Sequence, residues 1–472
     1  MAAQIKHLVV LMLENRSFDH MLGFLKSDEY AINGLAGGEM NRDSTGEPIR
    51  VSKDAQDSGD LATDPSHDFE DVMEQMFGTR RLPTPGERPD MSGFVINYEK
   101  FTRDRVRSAN IMKCFDAAGV AVLAKLAQEY AVCDRWFSSV PGPTLPNRLY
   151  VHAGTSRGRL DLSPDFLGGF HTVYEILARH NVSSTIFYHD WSAALSFEGL
   201  LLHHQAQFFA EYNRFGELVR NNRLPQYSFI EPRYNSQSSP SFLPANDQHP
   251  DHGIASGEML LRRVYEDLRS NDDVWKSSVM AVMYDEHGGI YDHEPPERCE
   301  SPDGIVCASP PFDFRLLGPR VPAVIISPYI QPRTIDSTLY DHTSVIATAM
   351  KLFAPQLWPS DVLGRRAQMA NTFDKLLDLS ASPRVDTPDF TNLQPAPEFA
   401  TAPPIHPAAK SLSVLQQEAV DHARILEQRL PAELKTNINS STIRDEHAAG
   451  EYLSRVATQL QRFAQGVRDA HT

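Results

Sequence analysis

The chain has 472 residues, of which 41% are hydrophobic and 22% charged, enough to bury a large core in one domain or two. Its formal net charge of −16 argues against nucleic-acid binding and against simple electrostatic adhesion to anionic membranes. The longest apolar runs are too short to span a bilayer, and the N-terminus lacks the features of a signal peptide. We therefore expect a soluble cytoplasmic protein that binds no nucleic acid.

Apolar and amphipathic stretches alternate along most of the chain. Five apolar runs predict buried strands: 7–13, 183–189, 226–232, 277–287 and 321–330. Three stretches have helical spacing: 119–132, 257–270 and 342–353. This alternation predicts an α/β fold with a mostly parallel central sheet, whose functional site lies beyond the carboxyl ends of the strands.

Composition divides the chain into three predicted parts. They are a catalytic domain at 1–386, a proline-rich linker at 387–407 and a C-terminal helical region at 408–472. Within the first part, residues 30–100 are polar and rich in Gly, Asp and Pro, which predicts insertions over the sheet. The C-terminal helices either pack on the catalytic domain, form a dimer contact or dock on a membrane surface, and the sequence leaves the oligomeric state open.

Glu14 and Asn15 follow the first apolar run directly, in the segment LMLENRSFDH. Neighbouring side chains of a strand point to opposite faces, so both can reach one site only if the chain is already turning there. An Asx-type turn or a helix cap would explain the same residues without any site. At this point the sequence leaves both interpretations open.

Asp285 and Glu286 repeat this arrangement, because they follow an apolar run and precede two glycines in YDEHGGIYDH. Adjacent carboxylates repel each other unless a cation or hydrogen-bond donors compensate, although a solvated loop would also tolerate them. Oxygen ligands from Glu, Asn and Asp suit a hard divalent cation such as calcium, magnesium or manganese, whereas zinc usually recruits more His or Cys.

Thr144 stands in the segment PGPTLPNRLYVHAG, near the predicted start of a helix. A helix N-terminus offers free N–H groups to a phosphate, and a threonine hydroxyl beside a divalent cation can act as a nucleophile. Arg148 can offer a planar fork to phosphate or clamp a carboxylate. The alternative is that Thr144 is an ordinary N-cap residue. Acid–base catalysis would need a histidine near the reacting atom, but chemistry alone does not select one from the eighteen in the chain.

The order of the long motifs resembles the phosphoesterase family, which contains bacterial phospholipases C, plant non-specific phospholipases C and related acid phosphatases. The similar segments are ENRSFDHMLGF, PGPTLPNR, HPDHGIASGE, YDEHGGIYDH, SPDGIVCASPPFDFRLLGPRVPAVIISPYI and DHTSVIATAMKLF. They extend to about residue 380, and the C-terminal helices resemble the tail of the plant enzymes more loosely. Several long motifs in one order make this resemblance specific.

The resemblance implies an alkaline-phosphatase-like α/β sandwich with a divalent metal site. It implies metal ligands Glu14, Asn15, Asp285 and Glu286, and Thr144 as the nucleophile. The family's phospholipases tend to use Thr there and its acid phosphatases Ser. His67 and His249 match family positions near the phosphate, and His252 matches only the plant-like branch. We also assign Arg148 to catalysis, and Asn147 and His293 to substrate binding.

From this resemblance we expect a phospholipase C that cleaves glycerophospholipids into diacylglycerol and a phosphorylated headgroup through a phosphothreonine intermediate. Calcium is the first choice of cofactor, with magnesium, manganese and zinc as alternatives. The expected partners are a phospholipid or another phosphate ester and, transiently, a membrane surface. Two alternatives are a phosphomonoesterase on the same scaffold and a non-catalytic calcium-dependent lipid-binding protein.

Overall fold

The structure is a computed structural model. It describes residues 4–57, 60–61, 63–84, 86–161, 169–197, 199–200, 208–236, 243–250, 252–358, 363–390, 412 and 414–469. Most of the predicted linker at 387–407 lies outside these residues, and the predicted domain boundaries stay predictions.

Ten strands are present in the described residues. They are β1 His7–Leu13, β2 Met40–Arg42, β3 Pro48–Arg50, β4 Ala131–Cys133, β5 Ser184–Tyr188, β6 Phe209–Glu211, β7 Tyr227–Ile230, β8 Ser278–Tyr284, β9 Ala323–Ile326 and β10 Thr334–Asp336. Eight of them form one sheet in the order β10-β4-β9-β8-β1-β7-β5-β6, and β2 pairs with β3 in a separate hairpin.

The α-helices of the described residues surround this sheet. They are α1 Phe18–Leu22, α2 Phe69–Phe77, α3 Phe94–Thr102, α4 Arg105–Ser108, α5 Ala121–Glu129, α6 Thr144–Ala153, α7 Val173–Arg179, α8 Asn213–Arg220, α9 Ala255–Arg269, α10 Asp272–Trp275, α11 Thr343–Phe353, α12 Arg365–Met369, α13 Val414–Gln428 and α14 Glu446–Asp469. None of the helices found in the described residues is long and apolar enough to cross a membrane.

β1 lies in the middle of the sheet and pairs in parallel with both β7 and β8. All seven residues of β1 and of β8 are buried, as expected for central strands covered on both faces. In the register, Leu11 pairs with Ile230 and Leu13 with Tyr284. The carboxyl ends of three strands that are far apart in sequence therefore meet at one edge of the sheet.

The predicted α/β fold with a mostly parallel sheet is confirmed, with corrections to individual strands. Every predicted strand and helix of the catalytic part has a counterpart, but β9 pairs antiparallel with both β8 and β4. The sequence prediction missed five short strands: β4, β6 and β10 in the main sheet, and β2 and β3 in the hairpin. It also extended the helix at 119–132 too far, because α5 ends at Glu129 and the apolar residues Ala131–Cys133 form β4.

The polar region at 30–100 is an insertion with a core of its own. It contains the β2–β3 hairpin together with α2 and α3, and buried side chains such as Phe69, Met73 and Phe94 belong to a second hydrophobic cluster. This cluster also takes in Ile290 and Tyr291, from the loop after β8. The insertion thus packs against the loop that follows Asp285 and Glu286.

The helical C-terminal region is also confirmed, and it packs on the catalytic part of the chain. Buried side chains of α13 and α14, among them Val420 and Tyr452, join the main hydrophobic core. On α13, the Nδ1 atom of His422 lies 3.3 Å from the Ser196 hydroxyl, and its ring packs edge-on against Trp191. Packing on the catalytic part, one of the alternatives left open by the sequence, is therefore the arrangement found.

Candidate active site

Three neighbouring strands each deliver a carboxylate to the same edge of the sheet. Glu14 follows β1, Glu231 follows β7 and Asp285 follows β8, and all three are completely buried. Because β1 lies between β7 and β8, these acids converge although they are far apart in sequence. Burying three carboxylates is costly unless positive charge compensates them.

Arg148 on α6 supplies the positive charge within this cluster. Its Nη1 donates to Glu231 at 2.6 Å, its Nε donates to Asp285 at 3.1 Å, and its Nη2 donates to Glu14. The guanidinium is 1% exposed, so it clamps the three acids rather than reaching into solvent. Burial raises the pKa of Glu14 well above its usual range even though Arg148 opposes that shift.

Thr144 is the first residue of α6, and its hydroxyl points at the same cluster. Its Oγ1 donates to Glu14 at 3.3 Å and lies 3.2 Å from the Asn15 side-chain oxygen. Pro143 occupies the N-cap position, with no side-chain cap bond, so the N-cap interpretation of Thr144 is wrong. A buried hydroxyl held between a carboxylate and an amide at a helix N-terminus is well placed for nucleophilic attack on phosphorus.

The backbone at Asn15 brings Glu14 and Asn15 to one site. Asn15 has φ 52°, the left-handed region that Asn tolerates better than most residues, so the chain turns immediately after β1. Its N–H donates to Asp285 Oδ1 at 3.0 Å. Gly288 packs against this turn, since a Cβ there would lie 2.1 Å from the Asn15 carbonyl oxygen. In a regular strand, the Glu14 and Asn15 side chains would point to opposite faces. The positive φ of Asn15 turns the chain and brings both side chains to one site.

Glu286 completes the cluster. One of its oxygens accepts the Gly288 N–H at 2.8 Å, whereas Oε1 is buried and accepts no hydrogen bond within the described part of the chain. His67 Nε2 lies 3.9 Å from Oε1. Burial opposes ionisation, but His67, His287 and the Gly288 N–H outweigh it and lower the pKa of Glu286.

His67 and His249 lie side by side next to the carboxylates. Their ring centroids are 6.1 Å apart, and His67 Nε2 is 3.3 Å from the Asn15 side-chain nitrogen. Burial opposes protonation of His67, but the Glu286 and Asp64 carboxylates raise its pKa above the ordinary value. A histidine with a raised pKa beside the Thr144 cluster is suited to deliver a proton.

His252 lies one ring further out. Its centroid is 6.2 Å from that of His249, and its Nδ1 is 2.8 Å from Asp247 Oδ1. Arg16 holds the loop that carries both rings, because its Nη2 donates to the carbonyls of His249 and His252, each at 3.1 Å. The polar residues after β1 thus serve both the carboxylate cluster and the histidine loop.

Asn147 is directed into the turn before Thr144. Its side-chain nitrogen donates to the carbonyls of Val140, Gly142 and Pro143, and its oxygen accepts the Val140 N–H at 3.1 Å. These bonds use the whole amide to fix the turn that presents Thr144. The predicted contact between Asn147 and substrate stays a prediction.

His293 belongs to a different group of charges. Its Nδ1 is 2.6 Å from Asp19, and Asp19, Asp292 and His293 bring three ligand atoms within 4.8 Å of one another. Arg320 donates to Asp292 at 2.8 Å and to Asp19 at 3.0 Å, so a buried guanidinium already neutralises these acids. The structure does not bring His293 into the Thr144 cluster, and its role in substrate binding stays a prediction.

The Thr144 cluster has the chemistry of a divalent cation site. It holds four buried carboxylates against one guanidinium, and the free Oε1 of Glu286 is a carboxylate oxygen in need of a partner. The Thr144 hydroxyl, the Glu14 Oε2 atom and the Asn15 amide oxygen already lie together. Oxygen atoms of this kind suit a hard cation, so the residues fit such a group.

The sequence comparisons agree on one family. A model described as the phosphoesterase family matches residues 5–354. The chain belongs to the phosphoesterase family. It is 38% identical to non-specific phospholipase C1 of Arabidopsis thaliana over 82% of this chain and 73% of that protein. Phospholipase C B of Mycobacterium tuberculosis is 27% identical over 84% of this chain and 82% of that protein.

As a member of this family, the chain is a phosphoric ester hydrolase, as the sequence resemblance implied. Among solved structures, it is similar to a protein in the alkaline phosphatase superfamily from Vibrio parahaemolyticus. That match has a TM-score of 0.31 and 11% identity, and it covers 75% of this chain and 67% of that one.

The sequence prediction missed Glu231, which this phosphoesterase places in the carboxylate cluster. Glu231 was inside a predicted strand segment, and its signal was the same as for Glu14: an acid directly after an apolar run. His342 supports Asp285, because its Nε2 is 2.5 Å from the Asp285 carbonyl oxygen. Its other ring nitrogen accepts from the Trp136 indole N–H at 3.3 Å, and no local sequence signal distinguishes this histidine from the others.

Proposed function

We propose that this phosphoesterase is a phospholipase C, which hydrolyses glycerophospholipids to diacylglycerol and a phosphorylated headgroup with Thr144 as the nucleophile. The observation that carries the proposal is the buried Thr144 hydroxyl at the start of α6, held by Glu14 and Asn15 beside two histidines. The names of the relatives support the substrate class, since those aligned over most of this chain are called phospholipases C.

A divalent cation is part of the proposal, with calcium as the first choice and magnesium, manganese and zinc as alternatives. Glu14, Asn15, Asp285 and Glu286 would hold it, and the unpartnered Glu286 oxygen favours this assignment. When bound, it would neutralise phosphate oxygens and lower the pKa of a nearby hydroxyl. Without positive charge at this position, an anionic phosphate would meet an acidic cluster and be repelled.

In the first step, Thr144 attacks phosphorus in line with the bond to diacylglycerol. The new bond joins Oγ1 to phosphorus, and the hydroxyl proton passes to Glu14, to which that hydroxyl already donates. The bond from phosphorus to the diacylglycerol oxygen breaks, and His67 or His249 gives that oxygen a proton. The free N–H groups at the start of α6 stabilise the charge on the phosphoryl oxygens.

In the second step, water attacks the same phosphorus and the threonine–phosphorus bond breaks. The histidine that gave up its proton now takes one from the water, and the Thr144 oxygen recovers a proton from Glu14. Diacylglycerol and the phosphorylated headgroup leave, and every residue returns to its starting protonation state. Arg148 takes no proton in this scheme; it keeps Glu14 and Asp285 in place.

The test is product identification with purified protein. Wild type, Thr144→Ala and Thr144→Ser are incubated with phosphatidylcholine in mixed micelles, and the water-soluble product is identified. We expect phosphocholine and diacylglycerol from wild type, and a loss of roughly three orders of magnitude or more in turnover for Thr144→Ala. Thr144→Ser retains a hydroxyl and should keep measurable turnover.

Other outcomes separate the alternatives. Inorganic phosphate from a soluble monoester, without lipid cleavage, would assign the protein to phosphomonoesterases. Vesicle binding without any turnover in wild type would favour a non-catalytic lipid-binding protein. Undiminished turnover by a folded Thr144→Ala variant would contradict the nucleophile assignment.

A further inference from the structure

A carboxylate from the C-terminal helices contacts the histidine loop of the active site. Glu446, the first residue of α14, is 2% exposed, and its Oε2 lies 3.4 Å from His252 Nε2. The other ring nitrogen of His252 lies 2.8 Å from Asp247 Oδ1. The ring thus lies between two buried carboxylates, within hydrogen-bond distance of Asp247 in the catalytic part and within ion-pair distance of Glu446 in the C-terminal region.

The ring held in this way continues into the reaction site. The His252 centroid is 6.2 Å from that of His249, which in turn is 6.1 Å from that of His67. From the other side, Arg16 fixes the backbone of this loop through the carbonyls of His249 and His252. Arg16 therefore contacts the backbone of this loop, whereas Glu446 contacts the His252 ring from the C-terminal region.

The stability of α14 alone does not require a buried acid at Glu446. An acid in the first turn favours a helix through the helix dipole, but an exposed acid does this without the cost of burial. Glu451, five residues further along α14, is exposed and pairs with Arg455 at 2.5 Å. Glu446 is instead buried against the His252 ring, which belongs to another part of the chain.

A second contact from the C-terminal region leads to the carboxylate clamp of the site. Gln416 on α13 donates to the Tyr234 carbonyl at 2.9 Å, and the Tyr234 hydroxyl donates to Glu231. Glu231 in turn accepts from Arg148 at 2.6 Å. The C-terminal helices therefore contact the histidine loop directly and are linked to the carboxylate clamp through Tyr234.

We propose that Glu446 is a positioning residue for phosphoester hydrolysis. It fixes the orientation of the His252 ring and, through that ring, the packing of His249 beside the reacting phosphate. The C-terminal helices thereby complete the active site. The inference rests on the proposed function only in its choice of reaction, because the contact itself is a feature of the fold.

The test combines kinetics with a double-mutant cycle. Glu446→Ala, Glu446→Gln, His252→Ala and the double variant Glu446→Ala/His252→Ala are compared with wild type on phosphatidylcholine micelles, with Glu451→Gln as the matched control on α14. We expect Glu446→Ala to lower kcat about tenfold with KM within about twofold, and the double variant to equal His252→Ala, because coupled residues are not additive. Glu446→Gln, which keeps an oxygen facing the ring, should lose less.

Hydrogen–deuterium exchange gives a readout that does not depend on turnover. In Glu446→Ala, peptides covering 247–254 should exchange faster than in Glu451→Gln. If Glu446→Ala does not fold, Glu446→Gln takes its place in both measurements.

Two kinetic results would overturn the proposal: a folded Glu446→Ala variant with kcat within about twofold of Glu451→Gln, or a loss that multiplies with that of His252→Ala. If wild type does not cleave the lipid, the proposed function fails, and the same cycle is measured on a soluble phosphomonoester. If neither ester is cleaved, hydrogen–deuterium exchange tests the inference alone. Unchanged exchange at 247–254 in Glu446→Ala would then overturn it.

Discussion

Removing Glu231 should damage the active site through Arg148. Glu231 Oε2 accepts from Arg148 Nη1 at 2.6 Å and from the Tyr234 hydroxyl, and Oε1 accepts from Ser192 at 3.1 Å. In Glu231→Ala, the buried Arg148 guanidinium has one hydrogen-bond partner fewer, and the buried Tyr234 hydroxyl loses the carboxylate to which it donates. Breaking a buried pair costs about 3–5 kcal/mol, and at about 2 °C per kcal/mol the melting temperature should fall by roughly 6–10 °C.

Glu231→Gln is the conservative variant. Its side-chain oxygen can keep the bonds from Arg148 and Tyr234, and the Ser192 hydroxyl can rotate to accept from the new amide nitrogen. Only the charge is lost, so we expect a cost of about 1–2 kcal/mol, the difference between charged and neutral hydrogen bonds. Turnover should fall in the same order, up to about a hundredfold for Glu231→Ala, because Glu14 and Asp285 lose their fixed clamp.

The assay is thermal unfolding together with kcat on the cleaved ester, and the control is Glu217→Gln. Glu217 lies on α8 with its side chain 52% exposed, and its substitution should change stability by less than about 0.5 kcal/mol. If Glu231→Ala melts within about 2 °C of that control and keeps full turnover, the buried clamp does not hold the site together and the reasoning is refuted.

Three further predictions concern backbone, pH and metal. Gly288→Ala should reduce stability and activity more than Gly37→Ala does. Both glycines have positive φ, but only a Cβ at Gly288 would collide with the Asn15 carbonyl oxygen. Equal losses in the two variants would contradict the close packing of Gly288 against Asn15. Glu258 accepts two N–H groups at the start of α5, and burial raises its pKa from 4.5 to about 7. Between these two pH values, the folded state retains a proton that the unfolded state has lost. Wild-type stability should therefore fall as the pH rises through that window. Glu258→Gln should therefore match wild type below that window and exceed it above pH 7 by up to about 3 kcal/mol in thermal unfolding, whereas a constant difference between the two proteins would contradict the assignment. Calcium at about one hundred times its Kd should stabilise wild type by about 2.7 kcal/mol, and Glu286→Gln should reduce this shift; no shift with any divalent cation would contradict the metal proposal.

The two acidic pairs were predictable because each follows a long apolar run. An apolar run that ends in polar residues marks the carboxyl end of a buried strand, and parallel strands present those ends at one edge. Glu231 has the same local signal after the run YSFI, but its importance depends on β1 lying between β7 and β8. Neighbouring strands in this sheet are separated by long stretches of sequence, so their order is a tertiary property that local patterns do not encode.

Other features have no local signal at all. The apolar run that builds α5 continues almost directly into β4, so hydrophobic periodicity does not show where the helix ends and the strand begins. The antiparallel direction of β9, which pairs with both β8 and β4, has no signal in the composition of this strand. Glu446 reads as an ordinary first-turn acid, and only the packing of α14 against the His252 loop makes it part of the site.

The most direct test of the central claim is to trap the reaction on Thr144. Wild-type protein is mixed with phosphatidylcholine, quenched in acid during turnover, digested and examined by mass spectrometry. We expect a phosphocholine group linked to the peptide that contains Thr144, absent in Thr144→Ala and absent without substrate. An adduct on another residue, or lipid cleavage that continues in a folded Thr144→Ala variant, would contradict it.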